Sequence, residues 1–551
     1  MAASSDDDWW RSAVIYEVYP RSFGDANGDG IGDLNGITEH LDYLKDLGVD
    51  AIWITPFYPS PQVDFGYDIS DYTGIDPQFG TMADFDRLQA AAKERGIRII
   101  CDLVLNHSSD KHPWFIESRS SKTNPKADWY IWHDGKPGGT PPNSPPNNWQ
   151  SIFGHSAWQY EKSRDQYYYH AFYKEQPDLN WRDDQVKNAM FDVVRFWMNK
   201  GVSGFRLDAI TSMFEDIALQ NESYLAGMNA YGERNISRLY TDNLPEVHDI
   251  LRQLRKVTNE KSGTVLIGET YLPNVGELAK MYGRNRDELQ LPMDTQLGFS
   301  NKLSVPAFRG KLQDAETKIN GNVPLFVFSN HDNVRSINRY GDGKHDGEIA
   351  RLLATLLLTP RDAALIYYGE ELGMTNRDPK SKAEVKDPIG RSGWPKEKGR
   401  DGERTPMQWN GDTDAGFSVS KQPWLPVASN YRTVNVASES RDPNSLLNYY
   451  KKLIRLRREN QQLKQGDFIT VDNSNDQVLS YVRKTPDGKT VLVSLNFTAS
   501  PQTVNLDLTP QGIKGEHSKL ILASYPNASG VAELKRLALP PYGSYIGEIV
   551  P

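Results

Sequence analysis

A (β/α)8 TIM barrel is the α/β fold this sequence predicts, with a small domain inserted after its third strand and a C-terminal antiparallel β-sandwich. Three observations predict it. From residue 13 to 371, eight short runs of β-branched and aromatic residues alternate with longer amphipathic segments, the pattern of βα units. One connection, Asn106 to Asp184, is too long for a loop and reads as a domain of its own. Beyond Asp467 only strands and turns follow. Right-handed crossovers of this number close most naturally into a barrel, whose chemistry sits at the carboxyl ends of the strands.

The expected strands are Val14-Ile-Tyr-Glu-Val18, Ala51-Ile-Trp-Ile-Thr55, Ile99 to Leu105, Gly204-Phe-Arg-Leu-Asp208, Val265-Leu-Ile-Gly-Glu269, a weaker run from Leu289 to Asp294, Leu325-Phe-Val-Phe328 and Ala364-Leu-Ile-Tyr-Tyr368. Thr81 followed by Asp84 marks a helix start, with Phe85, Leu88 and Ala92 on one face before Gly96. Val186, Ala189, Met190, Val193 and Trp197 repeat that pattern before Gly201. An irregular stretch rich in Lys, Asp, Gly and Pro, from Thr375 to about Arg432, adds a wall to the rim. After a helix containing Leu446, Tyr450, Leu453 and Leu456, the hairpin Val478 to Val482 and Val491 to Leu495, with Pro486-Asp-Gly488 as its turn, opens the C-terminal domain. The expected division is a barrel over 1–106 and 182–466, an insert over 107–181 and a sandwich over 467–551.

Composition narrows the function. Lys and Arg number 63 against 72 Asp and Glu, a net charge of −9, and the acids and bases are interspersed; a nucleic-acid footprint would need clustered bases. The single cysteine, Cys101, excludes an intrachain disulfide framework and reads as a core residue. The longest apolar run, Leu352 to Leu358, is far short of a membrane span. The start, Met1 to Asp8, has neither a basic nor an apolar signal region. The expectation is cytoplasmic, or alternatively periplasmic or secreted after loss of a signal peptide, and a monomer or homodimer. The 13 Trp, 27 Tyr and 19 Phe suggest core packing or, more sharply, a cleft where rings stack on sugar faces.

Three carboxylates end strands four, five and seven: Asp208, Glu269 and, in Phe328-Ser-Asn-His-Asp332, Asp332. They would meet at one mouth with Arg206, His331 and His107. Clustered acids repel unless a substrate, cation or developing positive charge offsets them. Glycosidic cleavage supplies that charge, because its transition state is oxocarbenium-like: one carboxylate traps it and a second, held protonated, donates to the leaving oxygen. Arg206, two residues before Asp208, points to the same side of its strand and can keep Asp208 ionised. A second pattern, Asp25-Ala-Asn-Gly-Asp-Gly-Ile-Gly-Asp33, puts oxygen side chains at Asp25, Asn27, Asp29 and Asp33 between glycine turns, as a hard cation requires. Gly36 stands where an EF-hand needs its Glu, which rejects that motif. A metal-free Asx-rich turn is the alternative.

Asp102-Leu-Val-Leu-Asn-His107, Gly204 to Asp208, Gly268-Glu269 and Phe328 to Asp332 resemble the four signature regions of glycoside hydrolase family 13, the α-amylase family. Gln176-Pro-Asp-Leu-Asn180 and Arg404-Thr-Pro-Met-Gln-Trp409 resemble its α-glucosidase and oligo-1,6-glucosidase branch. The resemblance implies Asp208 as nucleophile, Glu269 as general acid/base and Asp332 as a third carboxylate that binds sugar hydroxyls. It implies that Tyr67, Asp68, His107, Arg206, His331 and Arg404 hold the terminal glucose, and that Phe153 and Phe172 wall the pocket. It implies a structural Ca²⁺ or Mg²⁺ in the Asp25–Asp33 loop, with the Ile31 carbonyl as a further ligand. Ala209, directly after the nucleophile, is the small residue that accompanies α-1,4 activity in this branch, where Val accompanies α-1,6. The resemblance thus leads to an α-glucosidase acting on maltose and short α-1,4-glucosides with some transglucosylation. Alternatives are an oligo-1,6-glucosidase, a transglucosylase, a sucrose- or trehalose-converting enzyme and, remotely, a non-catalytic transporter-associated relative.

Overall fold

The computed structural model describes residues 6–300, 302–360, 363–420, 422–526 and 528–551. Most of the N-terminal segment read for a signal lies outside the described residues. Eight parallel strands close into a barrel: β1 (Val14–Val18), β2 (Ala51–Ile54), β3 (Arg98–Val104), β4 (Gly204–Asp208), β5 (Val265–Gly268), β6 (Leu291–Asp294), β7 (Leu325–Val327) and β8 (Ala363–Tyr367). All eight fall on the expected runs. Each strand pairs with its sequence neighbours, and β8 pairs with β1 through Val14↔Ala364 to Glu17↔Tyr367.

Alternation along the strands builds the interior in layers. Ile15, Trp53, Ile100, Val265, Ile267, Leu325, Val327 and Leu365 belong to one buried apolar cluster inside the barrel. Two residues further along β1 and β3, the sequence switches to Glu17 and Asp102, and β4 contributes Arg206 and Asp208; Glu17, Asp102 and Arg206 are all fully buried. An apolar plug is thus topped by a charged layer at the carboxyl ends. The opposite strand faces pack on the helices. Met82–Glu94 starts with a capping box in which Thr81 and Asp84 satisfy each other's backbone, and it buries Phe85, Leu88 and Ala92. Asp184–Asn199 buries Val186, Met190, Val193 and Trp197. Cys101 is fully buried, and burial pushes its thiol pKa up.

Between β3 and the helix Asp184–Asn199, three short strands (Trp132–His133, Trp158–Glu161, Gln166–Tyr169) form an antiparallel sheet around Trp149, Trp158 and Tyr169. Beyond β8 the described residues make only short helical turns as far as the helix Leu446–Glu459. The C-terminal domain is a six-stranded antiparallel sheet with a separate two-stranded sheet, Gln502–Val504 and Leu537–Leu539, sharing its core. The hairpin Val478–Lys484 and Thr490–Asn496 pairs as expected. Among the described residues no helix is long and apolar enough to cross a membrane.

Candidate active site

A cavity of about 660 Å³ opens at the carboxyl ends of the barrel strands, a size suited to a small-molecule ligand. Asp208, Glu269 and Asp332 all line it, with Tyr67, His107, Phe153 and Phe172. Of the expected residues, Arg206, His331 and Arg404 lie just beneath, at 0%, 0% and 1% exposure, and act on the cavity through the carboxylates they touch.

Arg206 is the hub. Its Nη1 donates to Asp208 Oδ1 at 2.6 Å and to Asp102 Oδ1 at 3.1 Å. Its Nη2 makes an ion-pair contact with Glu269 Oε1 at 2.6 Å. One guanidinium thus holds two of the three carboxylates expected to be catalytic, Asp208 and Glu269. The bond to Asp208 is directed and charge-assisted, the kind that favours an ionised acceptor. Glu269 takes one backbone N–H, from Ala209 at 2.8 Å. Burial raises both groups to about 7, against the lowering pull of Arg206. Asp332 behaves oppositely. Burial raises it, but His331, Arg400, Arg404 and Arg206 together hold it well below the usual carboxylate range. Its Oδ1 meets Arg404 at 2.7 Å and Arg400 at 3.0 Å. Because burial lowers His331 strongly, the guanidiniums supply the positive charge. Two carboxyls poised near neutrality beside one held ionised form the constellation of an acid/base and nucleophile pair with a fixed anion.

A fourth residue expected to hold the glucose also lies off the cavity lining. Asp68 is fully buried and does not reach the cavity; its carboxylate accepts from Ser60 Oγ and from the N–H groups of Val63 and Asp64, each at 2.9 Å. It builds the turn that presents Asp64, which does line the cavity. Asp64 pairs with Arg400 at 2.6 Å, and Arg400 is anchored by Asp387 at 2.7 Å. Asp64, Arg400, Asp387 and Tyr271 are residues the sequence reading missed. Gln176, quoted for its motif, gains a contact: its amide lies 3.0 Å from His107 Nε2 and 3.2 Å from Asp64 Oδ2. Burial lowers His107 to about 3, so its ring is neutral.

The aromatic excess is mostly core: Trp53, Trp149, Trp181 and Trp197 are all but inaccessible. Five rings, Tyr67, Phe153, Tyr169, Phe172 and Tyr271, line the cavity. In the Asp25–Asp33 loop the acids are occupied by amides. Asp25 accepts from Gly28 and Gly30 at 2.7 and 2.8 Å, Asn27 and Asp29 from Asp29 and Ile31, and Asp33 from Ala26, Asn27 and Gly36. Among the described residues no three His, Cys, Asp or Glu side chains gather as a metal ion would need. The donor chemistry suits a hard cation; the fold of the loop meets its hydrogen bonds without one.

A closed parallel barrel whose mouth gathers three carboxylates, two on the Arg206 guanidinium and the third on Arg400 and Arg404, defines a class of enzyme that cleaves glycosidic bonds. The comparisons agree. Residues 17–466 match the alpha amylase catalytic domain family and residues 468–546 the maltogenic amylase C-terminal domain. A probable alpha-glucosidase of Rhizobium meliloti (strain 1021) is 43% identical over 87% of each chain, and an oligo-1,6-glucosidase of Parageobacillus thermoglucosidasius 38% over 98% of this chain and 99% of its own. Among solved structures, an alpha-glucosyl transfer enzyme, XgtA, superposes with a TM-score of 0.88 at 37% identity, covering 98% of this chain and 99% of that one. An isomaltulose synthase of Erwinia rhapontici NX5 in complex with sucrose superposes with a TM-score of 0.89 at 36% identity over 100% of both. The chain belongs to the α-amylase family of glycoside hydrolases.

Proposed function

We propose that this enzyme is a retaining, exo-acting α-glucosidase that releases terminal glucose from maltose and short α-1,4-glucosides, with some transfer of glucose to sugar acceptors. The observation that carries this reading is Arg206 joining Asp208 and Glu269 in a cavity bounded by the Asp64–Arg400 ion pair. An ion pair on the cavity wall supplies both a carboxylate and a guanidinium to the hydroxyls of a terminal sugar, which supports the exo reading. Relatives named for α-glucosidase and oligo-1,6-glucosidase activity support the substrate class.

Asp208, ionised by its bond to Arg206, attacks the anomeric carbon while Glu269 protonates the departing oxygen. The glucosyl group is then esterified to Asp208. Glu269, now ionised, takes a proton from water, which attacks from the face the leaving group vacated. Both displacements invert, so the α configuration is retained, and the carboxyl groups should stand roughly 5 Å apart. Asp332, ionised throughout, binds sugar hydroxyls. A sugar hydroxyl in place of water gives transfer, and the structural relatives named for glucosyl transfer and isomaltulose synthesis favour this as the second reading.

The lean to α-1,4 rests on Ala209, which lines the cavity beside Asp208. Hydrolysis of maltose and isomaltose, with product chromatography at high maltose, tests the whole reading. Faster isomaltose hydrolysis overturns the linkage, accumulating trisaccharide shows transfer, and inertness on every α-glucoside overturns the function. The Asp25–Asp33 loop takes a structural Ca²⁺ or Mg²⁺, with the Ile31 carbonyl among its ligands, and the enzyme works in the cytoplasm. Because the loop is tied to the rim through Asp25 N–H to the Phe417 carbonyl at 3.1 Å, loss of the ion lowers Tm; an unchanged Tm in EDTA contradicts the metal.

A further inference from the structure

Glu17 interrupts the apolar strand β1, and its side chain is fully enclosed behind His331. Its Oε1 lies 2.7 Å from His331 Nδ1 and accepts the His331 backbone N–H at 3.2 Å, while Oε2 meets no hydrogen-bond partner among the described residues. The other ring nitrogen, Nε2, faces the Tyr67 hydroxyl at 2.7 Å and Asp332 Oδ2 at 3.2 Å.

Donor accounting fixes one proton. Asp102 Oδ2 receives the Tyr67 hydroxyl at 2.9 Å and the Trp53 indole N–H at 3.1 Å. Tyr67 has a single hydrogen, spent on Asp102, so towards His331 its oxygen is an acceptor. Asp332, an ionised carboxylate, is also an acceptor. His331 Nε2 therefore carries hydrogen. Nδ1 then meets Glu17 either as imidazolium against carboxylate or as a bare nitrogen accepting from a protonated carboxyl.

The surroundings favour the neutral pair. Both groups are fully enclosed, where an uncompensated charge is costly. The fixed charges divide: Asp332 favours a positive charge on His331 while Arg404, Arg206 and Arg400 oppose it, and Arg206 favours a negative charge on Glu17 while Asp332 and Asp102 oppose it. Tyr67 and Tyr19 stack on the ring, and Tyr367 flanks Glu17 on β8. Burial is the largest influence on each group and sets the direction, raising Glu17 and lowering His331. A hydroxyl oxygen has lone pairs to spare, so a protonated Oε1 can donate to Nδ1 and still accept the backbone N–H.

We propose that Glu17 is a positioning residue: its protonated carboxyl donates to His331 Nδ1 and fixes the ring as the Nε2–H tautomer, which presents its donor to Asp332 opposite the two arginines. A flipped ring or the other tautomer would leave Asp332 Oδ2 without that donor. The functional consequence rests on the glucosidase reading; the proton assignment does not.

The test uses the full-length enzyme labelled with ¹⁵N-histidine, the His331 signals being identified by their loss in His331→Gln. The expected result near neutral pH is one protonated and one bare ring nitrogen; two protonated nitrogens overturn the proposal. Glu17→Gln keeps an N–H donor and should preserve the ring signature, the pH profile and kcat/KM on maltose. Glu17→Met removes the donor and should lower kcat/KM by roughly tenfold or more while the ring signature changes. Equal losses in the two variants overturn the proposal, and so does an unaltered Met variant. The ring spectrum of the wild type and the Gln variant decides the matter even where the Met variant fails to fold. It also decides independently of turnover, so an enzyme inert on α-glucosides would remove the functional reading and leave this assignment standing.

Discussion

Asp64 and Arg400 stand 336 residues apart in sequence and are joined by a 2.6 Å ion pair on the wall of the catalytic cavity. The same guanidinium reaches Asp332 and Asp387, so one side chain both bounds the pocket and holds its fixed anion. Arg400→Lys keeps the charge but not the fork that serves three carboxylates. We expect kcat/KM on maltose to fall by roughly 10²-fold, about 2.7 kcal/mol at 1.36 kcal/mol per decade. Steady-state kinetics check this, and wild-type rates in the Lys variant would show that the fork is dispensable.

The pH dependence of activity follows from Arg206. Asp208 and Glu269 are both raised to about 7 by burial, and Arg206 opposes the rise in each. Two carboxyls sharing one cation titrate as a pair. We therefore expect a bell-shaped kcat/KM profile with limbs on either side of about pH 7, the acid limb reporting ionisation of the nucleophile. Arg206→Met removes a lowering influence, so the acid limb must move to higher pH; a limb that stays or moves down contradicts the account.

Stability should run with a different pH signature. Burial raises Glu370 and Glu403 to about 8 and Glu215 to about 7. A carboxyl whose folded pKa lies above its unfolded value of about 4.3 binds its proton more tightly in the fold. Its stabilising contribution is complete below that value and is lost as pH rises through the folded pKa. Asp387 works the other way: burial raises it, but the Arg400 contacts prevail and hold it at about 2. Its contribution stands above its unfolded value of about 3.9 and is lost only in acid. Calorimetry should find Tm lower at pH 8.5 than at pH 6, and a Tm that rises across that interval would count against these buried acids.

Ala209 carries the linkage prediction. It sits at φ +46°, in the left-handed region that β-branched residues avoid. Ala209→Val should cost stability, on the order of 1–3 kcal/mol for a residue held there. It should also shift the maltose-to-isomaltose ratio of kcat/KM towards isomaltose by roughly tenfold, within the range that methylene-scale changes produce. An unchanged ratio would detach linkage preference from this position.

Most of the barrel was legible because its strands, buried on both faces, read as continuous β-branched runs; the weakest, Leu291-Pro-Met-Asp294, carries a proline and no β-branched residue. The three carboxylates were legible because each ends such a run. Glu17 was visible in the same way, as a lone acid inside Val14–Val18, but a charge within a strand does not say what it faces. Asp64 escaped because the resemblance implied Asp68, beside Tyr67, as the acid that holds the sugar, whereas Asp68 shapes the turn that presents Asp64. Arg400 escaped because the rim has neither periodicity nor regular structure, and its three acidic partners lie in separate parts of the chain. The aromatic count was compatible with core packing and with a sugar cleft, and the rings divide between the two, with Trp53, Trp149, Trp181 and Trp197 in the core and Tyr67, Phe153, Tyr169, Phe172 and Tyr271 on the cavity.

The most direct test of the central claim is the mass of Glu269→Gln incubated with α-glucosyl fluoride. Fluoride departs without help from an acid, whereas release of the glucosyl group needs the missing base. The account predicts an enzyme that gains one glucosyl unit, mapped by peptide analysis to Asp208. Release of β-glucose with no adduct, or an adduct on another residue, would contradict it.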